Sequence, residues 1–339
     1  MRRLLPLLAL AATLAPAAPA AATLVFERGY TRSDVWVAAD DGSGARRLAP
    51  GRNPRISPDG ETVVFGSRFS RRTPQLKVVA ADGGSPRTLL RRWRQGAFAW
   101  SPDGKTIAAV AGRELGPQRL VLVDVASGRT RTVARGFFSQ ASFSPESDRL
   151  VYGRTADQQR LFPDTDLWIA PVAGGRPTRL TTDGHGMYPV WGPSEIAFSR
   201  WQRPTGPHAK QGGPQLNLFT IAPDGSGLRR LTDDHPNYLL TGLVPTAWSA
   251  DGTKLLAQFG GQDTSYAVAV DPATGRQHVL GPDTELGILA TALSRDGRRV
   301  LGATQTFAPR PRPKVVTIPW GGGKPRVLVR NAMNPDWNA

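Results

Sequence analysis

One short stretch returns along this chain at a nearly fixed interval. With Ser57 of "RISPDG" as the anchor, the equivalent positions are Ser101, Ser144, Gly192, Ser249, Ser294 and Asn338, spaced by 44, 43, 48, 57, 45 and 44 residues. A period of this size marks an architecture made by repeating one supersecondary unit. Each anchor ends a short apolar segment and is followed by a turn and a second segment: "TVVFGS", "TIAAVA", "RLVYGR", "EIAFSR", "KLLAQF" and "RRVLGA". A third follows ("QLKVVAA", "RLVLVDV", "DLWIAPV", "LNLFTIA", "SYAVAVD", "PKVVTIP"), then a glycine-rich turn and a fourth, such as "PRTLL" or "PRVLV". Alternation, β-branched content and turn chemistry read all four as strands.

Six complete units lie between Pro54 and Arg330. The remainder fits together. "TLVFER", "DVWVAAD" and "ARRLAP" are a unit without its first strand, and "NPDWN" is a first strand without the rest. The expectation is an all-β chain, a seven-bladed β-propeller of four-stranded antiparallel blades occupying residues 23–339 as one domain. Its ring would be closed by Pro335 to Asn338 pairing beside Leu24 to Glu27, which covers edges that would otherwise be open. The "SPDG" turns suit a tight type I-based hairpin, with serine first, proline second and glycine last. Asp59, Asp103, Asp251 and Asp296 recur at one place in each unit, so they read as turn formers rather than as catalytic or calcium-binding groups.

The stretches "AWSPDG" and "PVWGPS", followed by "EIAFSR" and "TRLTTDG", resemble the WD40-like repeat of TolB-like β-propellers. The resemblance covers the repeated part of the chain and implies the propeller fold. TolB itself joins a six-bladed propeller to an N-terminal α/β domain and binds a peptidoglycan-associated lipoprotein. This chain leaves no room for that domain and counts seven units.

Residues 1–22, "MRRLLPLLALAATLAPAAPAAA", combine a basic start, a Leu/Ala run and small residues ending at Ala20 or Ala22, the pattern of a secretory signal peptide. A membrane anchor would need about 20 unbroken apolar residues, and Pro6, Pro16 and Pro19 interrupt the run. A secreted, periplasmic or cell-wall-associated protein is expected. The chain has no cysteine, which excludes disulfides, thiolate metal sites and a lipid-modified cysteine. Formal charge is +16, or +14 without Arg2 and Arg3, carried by 37 arginines and 6 lysines. An exported chain of that sign is drawn to anionic headgroups or acidic envelope polymers rather than to nucleic acid.

In such a blade, the turns after the first and third strands share one face and the remaining connections share the other. Short Gly/Asp turns occupy the first face. The second receives the long, irregular loops where binding residues gather. Its arginines and aromatics, Arg68, Arg71, Arg72, Arg92, Trp93, Arg94, Phe137, Phe138, Tyr188, Trp201 and Arg203, are the expected binding set. Guanidinium forks suit carboxylates and phosphates, and aromatic faces stack on sugars. The competing reading wedges Trp93, Phe137 and Phe138 between blades.

Three of the four histidines, His185, His208 and His235, fall in loops of that same face near Asp183, Asp233 and Asp234 and could hold a divalent metal; His278 reads as an outer-strand surface residue. No G-x-S-x-G elbow, P-loop or dinucleotide fingerprint is present, and "DTD" at Asp164 to Asp166 is too short for a calcium loop. The sequence reads as a non-catalytic, monomeric binding module without a cofactor, its partner an envelope protein or an anionic cell-wall polymer. The alternative is a metal-dependent lyase or hydrolase acting on an acidic polysaccharide, and it rests on the histidines alone.

Overall fold

A computed structural model describes residues 23–30, 32–68, 74–112, 116, 118–155, 164–202, 215–233, 242–261, 264–282, 287–305 and 312–338, so the expected signal segment lies outside it. Among the described residues there is no helix, and none therefore long and apolar enough to cross a membrane. The strands form antiparallel sheets in chain order. Met333–Trp337, Thr23–Arg28, Asp34–Ala39 and Arg46–Pro50 make one, and Arg52–Ile56, Thr62–Gly66, Gln75–Ala80 and Gly83–Arg91 the next. Trp93–Trp100, Thr106–Gly112 and Gln118–Asp124 pair in turn with the first half of Thr130–Phe143, whose second half passes on to Arg149–Thr155, Thr165–Pro171 and Thr178–Arg179. Gly186–Trp191, Ile196–Gln202, Gln215–Ile221 and Arg229–Arg230 follow, tied by one parallel bridge, Leu216 to Gly242, to Gly242–Trp248, Leu255–Gly260, Ser265–Val270 and Gln277–Leu280. Ile288–Leu293, Arg299–Thr304, Lys314–Pro319 and Arg326–Arg330 complete the set.

The second strand of each set is buried on both faces, which is why these strands read as unbroken apolar runs. Val63 and Val64 show the consequence, since neighbouring side chains on a strand point to opposite faces. Val63 packs with Val25, Val35 and Val37 of the preceding sheet, and Val64 with Ile107, Val121 and Val123 of the following one. The arrangement recurs: Val110 and Leu120 meet Leu150 and Tyr152, Val151 and Leu167 meet Ile196 and Phe219, Leu218 meets Leu255 and Val268, and Leu256 meets Val300 and Val316. Leu301 and Val315 pack with Leu24, Phe26, Ala38 and Trp337.

The strand Met333–Trp337 pairs with Thr23–Arg28 through Leu24 to Trp337, Val25 to Asp336 and Glu27 to Met333. Polar side chains fix that seam. Asn338 Oδ1 accepts from the Thr23 N–H at 2.6 Å, and buried Glu27 Oε2 accepts from the Asn53 N–H at 3.0 Å and Asn334 Nδ2 at 2.9 Å. Asn53 and Asn334 both hold positive φ, 49° and 48°, at equivalent bulges, and asparagine tolerates that region better than most residues.

The recurrent turns work as the sequence implies. In each, the serine hydroxyl donates to the aspartate (Ser57 to Asp59, Ser101 to Asp103, Ser249 to Asp251, Ser294 to Asp296, 2.5 to 2.6 Å) and accepts from the amide five residues on. Hydrogen bonds from Ser249 and Thr253 hold the Asp251 carboxyl down at about 2. A second device was not foreseen. Residues of the outer strands reach a carbonyl of the following sheet: Arg46 to Ala81, Arg87 to Val125, Arg131 to Val172, Arg229 to Pro272, and His278 Nε2 to Trp320. Part of the arginine excess is therefore scaffold.

Trp337 is buried among Leu24, Phe26 and Leu301, with the Arg299 guanidinium 5.1 Å from its ring centre. Trp337→Ala is expected to cost about 3 kcal/mol, read as a lowered denaturant midpoint. An unchanged midpoint would remove the seam from the stability of the whole.

Candidate functional site

The first strands of successive sets surround a cavity of about 730 Å³. Each of these strands is bulged where it pairs with its neighbour, with register shifts at Arg52/Arg55, Trp93/Phe98, Phe138/Ala141, Met187/Val190, Pro245/Ala247 and Ala290/Ala292, and opposite Val25/Glu27. Bulges re-aim side chains, and here they occur where the walls carry Phe98, Ser139, Gln140, Ser142, Thr246 and Thr291. The charged groups among the lining residues are Arg55, Arg94, Arg295 and Asp336. The lining thus carries three guanidiniums and one carboxylate.

Each charged group has a defined place. Arg94 Nη1 donates to the Phe138 carbonyl at 2.9 Å, and Arg295 Nη2 to the Pro58 carbonyl at 2.8 Å. Asp336 Oδ2 accepts from the Ile56 N–H at 2.9 Å. Burial pushes the Asp336 carboxyl up to about 6, and the nearby Arg55 charge and the backbone hydrogen bonds only partly offset it. Residues two before each anchor are Arg55, Ala99, Ser142, Val190, Ala247, Ala292 and Asp336, so a carboxylate occurs at one of these equivalent positions.

The expected binding set divides. Arg94, Phe138 and Tyr188 come together: Arg94 binds the Phe138 carbonyl, and the Tyr188 N–H, at a residue with φ of 54°, donates to Ser139 Oγ at 3.2 Å. Arg92 is exposed and Phe137 half-buried beside them. Trp93 and Phe138 need correction as stacking surfaces, because they are 0% and 3% exposed. Trp93 lies in the core against Phe98, over Gly66, where a Cβ would come within 2.4 Å of its ring. Phe138 packs edge-on to Tyr152. The wedge reading describes both. Arg68 belongs elsewhere, donating to Asp34 Oδ1 at 2.6 Å and the Ser33 carbonyl at 2.9 Å. Half-buried Trp201 donates its backbone N–H to the His185 carbonyl at 3.2 Å. Arg71, Arg72, Arg203, His208 and His235 lie outside the described residues.

His185 is exposed, and its N–H donates to Asp183 Oδ1 at 3.2 Å. The other Asp183 oxygen pairs with Arg200, and Asp233 pairs with Arg230. Among the described residues no three His, Asp or Glu side chains are grouped as metal ligands. Asp166 accepts from Arg179, Thr181 Oγ1 and the Gly184 N–H, which makes it a brace for the loop rather than a ligand. His278 is exposed on an outer strand, as expected.

Comparison with solved structures decides the architecture. The propeller domain of the Trilobed protease from Pyrococcus furiosus aligns with a TM-score of 0.65 at 14% identity, covering 91% of each chain. The fold is a β-propeller. TolB from Acinetobacter baumannii aligns at 0.55 with 16% identity over 93% of this chain and 82% of its own, and an oligogalacturonate lyase in complex with manganese at 0.59 with 17% identity over 90% and 83%. The propeller is thus shared with TolB, a peptidase and a lyase. No family model matches the chain. Among curated proteins, Tricorn protease homolog 1 from Streptomyces coelicolor is 29% identical over 238 residues, 64% of this chain and 21% of the relative. The chain therefore spans about a fifth of that relative's length.

The raised Asp336 carboxyl sets a pH dependence. The native protein keeps a proton there that the unfolded chain releases from about pH 4 upward, so stability falls as pH rises from about 4 to about 6 and stays lower above. Asp336→Asn keeps an acceptor for the Ile56 N–H without the charge. It is expected to gain about 2 kcal/mol at pH 7.5 and nothing below pH 4, measured by urea unfolding at both. Equal gains at the two pH values would refute the account.

Proposed function

We propose that this chain is an exported, monomeric, seven-bladed propeller that acts as a non-catalytic binding module in the cell envelope or extracellular space, taking an acidic ligand at its channel and the adjoining face. The ring reading is supported by the recurrence of one packing arrangement between consecutive sheets, including Leu301 and Val315 against Leu24 and Phe26, and by the pairing of Met333–Trp337 with Thr23–Arg28. The likeness to TolB and residues 1–22 favour export. The observation that carries the ligand reading is the channel lining itself, with Arg55, Arg94 and Arg295 against Asp336. Low-dielectric walls focus such a field and raise the local concentration of anions. An envelope protein's acidic segment or an anionic cell-wall polymer fits that chemistry. The peptidase activities named for curated relatives belong to proteins of which this chain matches only a part.

A second reading, a metal-dependent lyase or hydrolase on an acidic polysaccharide, has one observation in its favour, the exposed His185 beside Asp183. It expects stoichiometric divalent metal in the purified protein, lost in His185→Ala. Metal-free protein that leaves acidic glycans intact would end it.

For the binding module, Arg92→Glu with Arg94→Glu is expected to weaken binding of polygalacturonate or an acidic envelope fraction roughly tenfold, about 1.4 kcal/mol, and to flatten its salt dependence. Titration at 50 and 300 mM salt reads both. Equal affinity of parent and variant at low salt would overturn the placement of the ligand.

A further inference from the structure

Asp336 is a puzzle on energetic grounds. Its hydrogen bond to the Ile56 N–H has a counterpart in the fold, where Ser142 Oγ, two residues before its own anchor, accepts from the Trp191 N–H at 3.0 Å. A serine makes this bond, so it does not require a charge. Placing a half-buried carboxylate where a hydroxyl suffices costs desolvation unless the charge has another use. The equivalent position in the following sheet is Arg55, whose charge acts on Asp336 from across the seam. Both residues line the cavity.

Resting on the acidic-ligand reading, we propose that Arg55 and Asp336 form a proton-controlled anion subsite in the channel wall, where a ligand carboxylate, phosphate or sulfate takes Arg55 when Asp336 is protonated and is opposed when Asp336 is ionised. The surroundings leave Asp336 as the group that switches. From the neighbouring strand, Glu27 is held by Asn53 and Asn334, and Arg28 lies over the Phe26 and Trp36 rings. From Arg52–Ile56 come Arg52 and Arg55; from the set of Ile288–Leu293 come Arg295, bound to the Pro58 carbonyl, Arg299 over the Trp337 ring and beside Asp40, and exposed Lys314. Arginine and lysine as side-chain types titrate far above mildly acidic and neutral pH. Burial, which pushes the Asp336 carboxyl up to about 6, brings its titration into that same range.

By linkage, an anion that prefers the protonated site must also raise the proton affinity of Asp336. The probe is inositol hexasulfate, whose charge does not change between pH 5.0 and 7.5, titrated calorimetrically into the full chain at constant ionic strength. Binding is expected to be about tenfold tighter at pH 5.0 than at pH 7.5. Asp336→Asn is expected to bind tightly at both, and Arg55→Gln weakly at both. In the parent protein at pH 6.0, two buffers of different ionisation enthalpy should reveal net proton uptake on binding, a readout independent of whether either variant folds. Equal affinity at the two pH values, absent proton uptake, or pH dependence retained in Asp336→Asn would each overturn the subsite while leaving the acidic-ligand reading in place. No binding at either pH would take down both.

Discussion

Everything in this molecule depends on apolar faces buried between consecutive sheets. A four-stranded sheet of this kind has no core of its own. Its second and third strands are apolar on both sides, so each sheet is stable only between two others. Val63 and Val64 are adjacent in sequence and belong to different clusters. The same logic explains the glycines that lie under aromatic rings, such as Gly66 below Trp93, where any side chain would drive the tryptophan out of the space between sheets.

The scaffold was legible in the sequence because it is periodic. Strand order, turn chemistry and the pairing of residues near Leu24 with those near Trp337 all follow from the anchor spacing and the apolar runs. The roles of individual aromatics were not. Trp93 in "RRWRQG" stands among arginines, which suggests an exposed ring, but it follows the turn at Arg92 and opens a first strand, and the pleat sends it inward. Local composition carries no information about which face of a strand a residue takes when both faces are buried.

Arginine's two uses explain the rest of the difference. Net charge invites a single explanation, attraction to an acidic partner, yet Arg46, Arg87, Arg131 and Arg229 each bind a carbonyl of the next sheet. Guanidinium suits that task, since it keeps several donors in a fixed plane and stays charged at any physiological pH. These residues recur at equivalent places, and the arginines of the channel do not. Periodicity thus separates scaffold arginines from candidate ligand arginines where composition cannot.

That criterion also shows how the channel residues could have been found. "NPRIS" and "NPDWN" align on their Asn-Pro pairs, which places Arg55 against Asp336 at a position otherwise held by Ala99, Ser142, Val190, Ala247 and Ala292. Elsewhere that position holds a small or apolar side chain at the join with the following sheet: Ala99, Ala247 and Ala292 pack on the apolar cluster shared with that sheet, and Ser142 accepts from its Trp191 N–H. A charge placed there costs more than an alanine or serine would. In a propeller built from one repeated unit, a charged departure from the repeat on the cavity wall therefore calls for a reason beyond packing. The two charged departures are adjacent across the seam between Met333–Trp337 and Arg52–Ile56, of opposite sign, and joined through the Ile56 amide. A repeated scaffold supplies no reason for that pairing, whereas an anion entering the channel does.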